Sequence, residues 1–470
     1  MKTSRYNLYF PSVEEGLHLV YNTLTEGTVL LSAEAMAALT SRPGDLPEGV
    51  GGRLASAGII VSDEADERRI FRVNHNRIKY ASHEAYVMLY TTYACNSACT
   101  YCYEGFLTQT KGVRKAMSPE TTRAASRFMK TLAAEAGLKT LRLFFFGGEP
   151  MLNPQPISEL LRDLYPWAEK SGIDLTSGIC TNGTIPLDGL LPQLRETDTF
   201  VHFTLDGPKA VHDARRPYVG GKGSFDDTLR SIDLVQRAGV DFGIRVNVDR
   251  DNAGVVGTLL EELRERFGDG LHLRFAEVIP PVGPGQASGA GSADTGPASA
   301  PTAPGSSCAW ARQCLMGASP RTLTSLMARA RELGLTVITR PLRDWVFCEF
   351  LRDNSFIIDP FGDLYKCEGL AGLKEHRAGT IADDGTLETT FRFYDWVSHD
   401  PLETECADCV YLPACGGGCP CLTYEEDGTY HTGGCTMFKS LLHGFIEYYL
   451  ESAYPGLFRA ATGEPVAVRL

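Results

Sequence analysis

Apolar positions along residues 1–82 alternate in short runs, YNLYF, LHLVYNTL and GTVLL, and then change to helical spacing around SAEAMAALT and VGGRLASAGII. The first pattern puts alternate side chains on one side of a pleated strand; the second predicts two short helices, the first capped by Ser32. A small α+β module with a hairpin and helices is expected. From Glu84 to about Pro280 the period switches repeatedly. AYVMLYTT, TLRLFFFGG, DLTSGICTNG, TFVHFTLDG, DFGIRVNVD and GLHLRFAEV read as strands, separated by amphipathic stretches such as PETTRAASRFMKTLAAEAG and SFDDTLRSIDLVQRAG. Six strands with helical crossovers predict an α/β fold, a parallel sheet or partial (β/α)6 barrel.

Residues 281–307, rich in Gly, Ala, Pro and Ser with almost no charge, cannot bury a core and read as a flexible insert. A helix is expected near 319–334, followed by a cysteine-rich region from Cys348 to Cys435 and a helical tail. The organisation expected is therefore a module at 1–82, the barrel at 83–280, the insert at 281–307, a bridging segment at 308–345, a cysteine-rich domain at 346–440 and the tail at 441–470.

At 470 residues the chain is long enough for two or three domains. Its 45 basic residues against 58 acidic ones give a net charge of -13, which argues against a sequence-independent grip on nucleic acid. Pro11 and the Glu14–Glu15 pair interrupt any apolar signal core, and no stretch approaches the roughly 18 apolar residues of a membrane span. A cytoplasmic protein with neither a nucleic-acid nor a membrane partner is expected. Fourteen cysteines, clustered by spacing, then point to metal or redox chemistry over a disulfide framework.

Cys95, Cys99 and Cys102 follow the first barrel strand, at the strand end where such folds carry their active sites. Two readings fit three thiolates. One is a zinc knuckle or structural thiol set; the other is a 4Fe–4S cluster, which normally takes four thiolates and with three leaves one iron open to a non-protein ligand. The next strands close on motifs of their own: FFFGGEP with Gly147, Gly148 and Glu149, CTNGT with Asn182, and FTLDGPKAVHDARRP with Thr204. The two glycines permit close backbone approach to a ligand, and Glu149 offers an acceptor to an ammonium group. Asn182 and Asp206 also lie in Asn-Gly and Asp-Gly pairs, which are plain turn signals. GGKGS at 220–224 breaks the order a phosphate loop requires and reads as a loop. Cys180 lies inside a strand and reads as a small buried apolar residue.

The spacing Cys95-x3-Cys99-x2-Cys102, with Tyr101 before the last cysteine and these motifs in order, resembles the radical S-adenosylmethionine (SAM) superfamily. The resemblance implies that the open iron holds the amino and carboxylate groups of SAM, and that an electron from the cluster cleaves a C–S bond to give a 5′-deoxyadenosyl radical. It implies cofactor contacts at Tyr101, Gly147, Gly148, Glu149, Asn182 and Thr204. Arg245 is a further candidate for the cofactor carboxylate, or else a surface or ion-pair residue.

Farther on, Cys348-x13-Gly362-x4-Cys367 is followed by Cys406-x2-Cys409-x5-Cys415-x3-Cys419-x15-Cys435. Zinc ribbons fit parts of this spacing, although seven cysteines are an awkward number for zinc. The whole pattern is similar to the SPASM extension of radical SAM enzymes, which implies two auxiliary 4Fe–4S clusters and three clusters in all. On that resemblance Cys406, Cys409, Cys415 and Cys435 hold one cluster, and Cys348, Cys367 and Cys419 hold the other. Leu342 stands where relatives supply a further cysteine. Cys308, Cys314 or Cys421 would complete the set, or the site stays open to substrate.

The superfamily and its SPASM branch together cover about residues 84–440. They imply a maturase of a ribosomally synthesised precursor peptide, of the ranthipeptide or sactipeptide type that joins cysteine sulfur to carbon in a thioether, with an electron donor such as flavodoxin or ferredoxin. The module at 1–82 looks like a leader-recognition element to which an extended peptide adds a strand, its alternative being a winged-helix-like cap. Glu368, directly after Cys367, lies where some relatives carry a proton-accepting carboxylate; the other reading is a solvated glutamate. Two further functions fit: formylglycine formation of the sulfatase-maturase type or another C–H modification such as a C–C crosslink, and, outside enzymes, an iron–sulfur electron-transfer or zinc-binding interaction protein.

Overall fold

The computed structural model describes residues 1–10, 17–43, 46, 49–80, 83–105, 116–278, 320–338, 343, 345–435 and 438–453. The insert at 281–307, Leu342, Cys308 and Cys314 lie outside these residues. The chain folds into two compact units, one of Ser82–Thr339 and Asp353–Val397, the other of Met1–Ala81, Arg340–Arg352 and Ser398–Leu470. Among the described residues no helix is long and apolar enough to cross a membrane.

The first of these units is built on the expected parallel sheet. Its six strands are β6 (Glu84–Thr92), β7 (Thr140–Gly147), β8 (Asp174–Thr181), β9 (Phe200–Thr204), β10 (Phe242–Val248) and β11 (His272–Glu277), hydrogen-bonded in chain order. A short β12 (Thr336–Val337) extends the β11 edge. On the other side β13 (Phe356–Ile358) joins β6 in parallel, and β14 (Asp363–Tyr365), β15 (Gly379–Ile381) and β16 (Leu387–Thr389) continue antiparallel.

Period-two alternation sets the faces. On β7, Leu141, Leu143 and Phe145 are buried, and the helices pack on that side; full burial of such a side chain contributes about 1.5–3 kcal/mol. Arg142, Phe144 and Phe146 face the other way, where Phe144 meets His202 with ring centroids 5.4 Å apart. A Cβ on Gly178 would come within 2.9 Å of the Phe144 ring, so β8 passes this point without a side chain. Register aligns rows across this inner face: Cys180 opposite His202, Thr204 opposite Arg245, and Arg245 opposite Arg274. The crossover helices carry ordinary stop and start signals. Ser118 accepts the Thr121 N–H to open Pro119–Ala136, and left-handed Gly137 closes it.

The other unit holds β1 (Lys2–Thr3) paired with β5 (Ile60–Val61), and a three-stranded antiparallel sheet of β2 (Asn7–Phe10), β3 (Leu17–Asn22) and β4 (Thr28–Ser32). Ser32 caps the helix Ala33–Ser41 through a bond from the Ala35 N–H. Both faces of the three-stranded sheet are covered. Leu8, Phe10, Leu19 and Tyr21 pack with Tyr411 and Ala414 and with the i, i+4, i+8 stripe Leu442, Ile446 and Leu450 of the helix Phe438–Ala453. Val20 and Leu31 pack the opposite way, against Ala35, Leu39, Leu54, Ile59 and Ile60. A third helix, Glu67–Tyr80, buries Phe71, His75 and Lys79 on one stripe.

Candidate active site

The loop after β6 carries Cys95, Cys99 and Cys102 and is held at several points. The Ala98 N–H donates to the Pro217 carbonyl at 2.7 Å and the Thr100 N–H to that of Arg215 at 3.0 Å, and Ser97 forms a β-bridge with Tyr218. Burial pushes the Cys95 and Cys102 thiols up to about 12 and raises Cys99 as well. Such thiols stay neutral in the bare protein and ionise when a metal centre coordinates them.

Gly147 and Gly148 do their work against this loop. A Cβ on Gly147 would stand 2.3 Å from the Thr92 carbonyl oxygen, and one on Gly148 2.4 Å from that of Ala94. With no Cβ in the way, the end of β7 lies directly under the segment entering Cys95, and the Gly148 and Glu149 N–H groups donate to Thr92 and Ala94 at 3.0 and 2.8 Å. The close approach is thus to the chain's own backbone.

Glu149 is fully buried. Its carboxylate accepts from the Met151 N–H at 3.0 Å, the Thr181 hydroxyl at 2.7 Å and the Asn182 N–H at 2.7 Å. Burial raises its pKa, and these three bonds oppose the rise. A carboxylate offers about four lone-pair positions, so about one remains for a further donor. Asn182 ties the end of β8 to the thiol loop, donating from Nδ2 to Asn96 at 2.9 Å and to Ser97 at 3.0 Å, while its Oδ1 accepts the Thr184 N–H in a local turn. Its turn chemistry and its place in the site are one arrangement.

Thr204 ends β9, buried. Next to it Asp206 is fully buried and accepts from the Tyr101 hydroxyl and from Asn247, whose backbone N–H lies 3.1 Å from Oδ1. Tyr101 also receives the Arg216 Nη1 at 2.5 Å and the Asn247 Nδ2 at 3.0 Å, with the Arg215 guanidinium 5.0 Å from its ring centroid. From sequence Asp206 reads as a turn residue, and Arg216 and Asn247 carry no assignment. The available signal was the pair of adjacent arginines in HDARRP, since arginine is rarely buried without an acidic or phenolic partner. Arg216 stands among Cys99, Tyr101 and Asp206, the cation that belongs to the thiol loop.

The profile of the Radical SAM superfamily matches residues 89–260. These residues form a radical SAM domain, and the chain is an enzyme. The serine-type anaerobic sulfatase-maturating enzyme of Klebsiella aerogenes is 25% identical over 74% of this chain and 82% of its own length. The mycofactocin maturase MftC of Mycolicibacterium smegmatis is 29% identical over 70% of this chain and 76% of its own. In fold the chain is similar to native anSMEcpe with bound AdoMet and Kp18Cys peptide, with a TM-score of 0.56, 18% identity and coverage of 79% of this chain and 97% of that one. A radical SAM domain uses SAM and a 4Fe–4S cluster. The three thiols of one pinned loop and the residual acceptor capacity of Glu149 fit that pair.

Within the inner face of the radical SAM sheet, Arg245 is half-buried and donates from Nε to Asn247 at 2.9 Å. Cys180 is half-buried among charged neighbours that include Arg245 and Glu149, with burial pushing its thiol up to about 11. That setting is more polar than the apolar packing its strand position suggests. Glu368 opens a short turn, and its Oε2 accepts the Tyr103 hydroxyl at 3.3 Å. Glu104, buried nearby, is pushed up to about 8 by burial, with the Glu368 charge adding to the rise.

Outside the radical SAM domain, Cys406, Cys409, Cys415 and Cys435 line one cavity with Tyr411, Leu412, Gly417, Gly418 and Leu442. Gly417 takes a left-handed φ of 108° where a Cβ would strike Pro401, so the wall turns there on glycine. Cys348 and Cys419 belong to this same unit and Cys367 to the other. Cys421 is buried in the helix Pro420–Asp427. Among the described residues no three His, Cys, Asp or Glu side chains close on a single metal ion.

Proposed function

We propose that this enzyme modifies a ribosomally made precursor peptide by radical hydrogen abstraction and joins a cysteine sulfur of that peptide to carbon in a thioether. The observation that carries the reading is the assembly of the thiol loop, Glu149 and Asn182 at the ends of β6, β7 and β8. When bound, the cluster and SAM supply the electron and the carbon-centred radical. The chain's own residues do the rest. Glu149 would receive the ammonium of SAM; Arg216, beside Cys99 and Tyr101, is proposed as the cation for its carboxylate in place of the Arg245 named from sequence, and Asn182 and Thr204 would hold the strand ends around it. Glu368, anchored by Tyr103, takes up the substrate proton.

Cys406, Cys409, Cys415 and Cys435 are assigned to one auxiliary 4Fe–4S cluster, a reading supported by the cavity they share. Cys348, Cys367 and Cys419 are assigned to a second cluster, which when bound would take the substrate thiolate and accept the one electron left once the carbon–sulfur bond has formed. Metal coordination would deprotonate that thiol and orient its sulfur. A flavodoxin or ferredoxin supplies the electron, and the module at 1–82 binds the leader.

The sulfatase-maturating relatives support a second reading, oxidation of a cysteine or serine to formylglycine. One experiment separates the two. Iron-reconstituted protein, SAM, a reductant and a synthetic cysteine-containing peptide are incubated, and the product is examined by mass spectrometry. Loss of two hydrogens together with a thiol that no longer alkylates supports the thioether. A product that reacts with a hydrazide supports formylglycine. Absence of 5′-deoxyadenosine refutes both.

A further inference from the structure

Arg245 and Arg274 are register partners on β10 and β11, so their side chains leave the same inner face from backbones about 4.8 Å apart. Thr204 lies in the same row, one strand over, at the height where β9 ends. Arg274 feels Arg245, Cys180 and Tyr86, groups projecting from β10, β8 and β6 across the inner face. His202, in the row beneath, is pushed down to about 4 by burial and by these same two arginines, and so stays neutral.

Two adjacent guanidinium groups repel each other, and chains normally quench such a pair with an acidic residue. Here the Arg245 Nε bonds only the neutral Asn247 amide, and neither arginine forms an ion pair among the described residues. The carboxylate that acts on Arg274 is Glu368, which already accepts from Tyr103. Two planar forks side by side match the geometry of a carboxylate.

We propose that Arg245 and Arg274 form a carboxylate-binding site on the inner face of the sheet, which receives an acidic side chain of the peptide substrate next to the residue being modified. The carboxylate chemistry is shared by two sources, the peptide and SAM. Arg216, beside Cys99 and Tyr101, is the cation proposed above for the cofactor end, which assigns this pair to the peptide. The peptide assignment rests on the function proposed above; the anion site itself does not.

The test uses the full-length, iron-reconstituted protein and two blocked glycine-rich pentapeptides, one with a central aspartate and one with asparagine. Their affinities are measured by calorimetry with SAM present, alongside the affinity for SAM, in the wild type, Arg245→Gln, Arg274→Gln and Arg274→Lys. A preference of about tenfold for the aspartate peptide is expected in the wild type, with loss in either glutamine variant and partial retention in the lysine variant, which keeps charge without the fork. A comparable fall in SAM affinity with no peptide preference would overturn the peptide assignment and give the site to the cofactor. Absence of both effects would overturn the site. Formation of 5′-deoxyadenosine, measured separately, reports on the proposed function and not on this pair.

Discussion

The carboxylate of Glu149 accepts the backbone N–H of Asn182 at 2.7 Å, which joins the end of β7 to the end of β8. Asn182 in turn donates to Asn96 and Ser97 in the thiol loop. Three successive strand ends are therefore one hydrogen-bonded assembly, and damage to any member is transmitted to the others.

Replacing Glu149 with glutamine sets an amide nitrogen against one of the three donors that now reach the carboxylate. A buried donor left without an acceptor costs about 1–3 kcal/mol, and the loss of charge removes the strongest acceptor for an ammonium group. A lower thermal midpoint and SAM binding weakened by about tenfold or more are expected, read by calorimetry on reconstituted protein.

Removing the thiols of Cys95, Cys99 and Cys102 together by alanine substitution should lower the iron content by about four per chain, from about twelve with three clusters. Formation of 5′-deoxyadenosine should cease. Retention of that product in the triple variant would end the assignment of these cysteines.

Asp359 gives a pH prediction with a definite sign. Burial, with the Asp363 charge beside it, pushes its carboxyl up from the ordinary value of 3.8 to about 6. Between those values the folded chain holds a proton that the unfolded chain has released, so stability falls as pH rises through this window and levels off above it. Asp359→Asn keeps the Oδ1 that accepts from Phe361 and Asp363 at 2.8 and 2.9 Å and removes the titration. The variant should gain up to about 3 kcal/mol on the wild type between pH 4 and pH 6, as measured by denaturant unfolding. A parallel pH dependence in the two proteins would contradict the assignment.

Cutting away residues 1–82 is the obvious test of leader recognition, but the packing predicts a side effect. Tyr6 and Phe71 share a core with Cys406 and Leu412, and Thr23 donates to the Val410 carbonyl at 2.6 Å. Truncation should uncover Tyr411, Leu442 and Ile446, reduce solubility and release the iron assigned to the Cys406 cavity. Iron analysis and light scattering check this. A soluble truncated protein with full iron would show that the two parts are separable.

What was legible in the sequence is the chemistry that recurs at fixed spacing. Three cysteines within one loop, the Gly147–Gly148–Glu149 run and Asn182–Gly183 all announce strand ends, and the alternating periods announce the parallel sheet. Asp206 was legible only as a turn, because its partners Tyr101 and Asn247 lie far from it in the chain. The helix Glu67–Tyr80 escaped for a related reason. Its buried stripe includes Glu67, His75 and Lys79, polar residues bonded to distant groups such as the carbonyls of Trp345 and His399. No local apolar period records such compensation. Arg274 carries no motif in the sequence, and only register sets it beside Arg245.

The parallel pairing of β13 with β6 also has a consequence for biosynthesis. Val87, Met88 and Leu89 stand opposite Phe356, Ile357 and Ile358. While the chain is still emerging from the ribosome, β6 is a bare sheet edge rich in apolar residues, and at ordinary elongation rates it stays so for on the order of tens of seconds. The strand that launches the thiol loop is thus an exposed aggregation hazard of the nascent chain, and coexpressed chaperones should raise the yield of soluble protein more than added iron does.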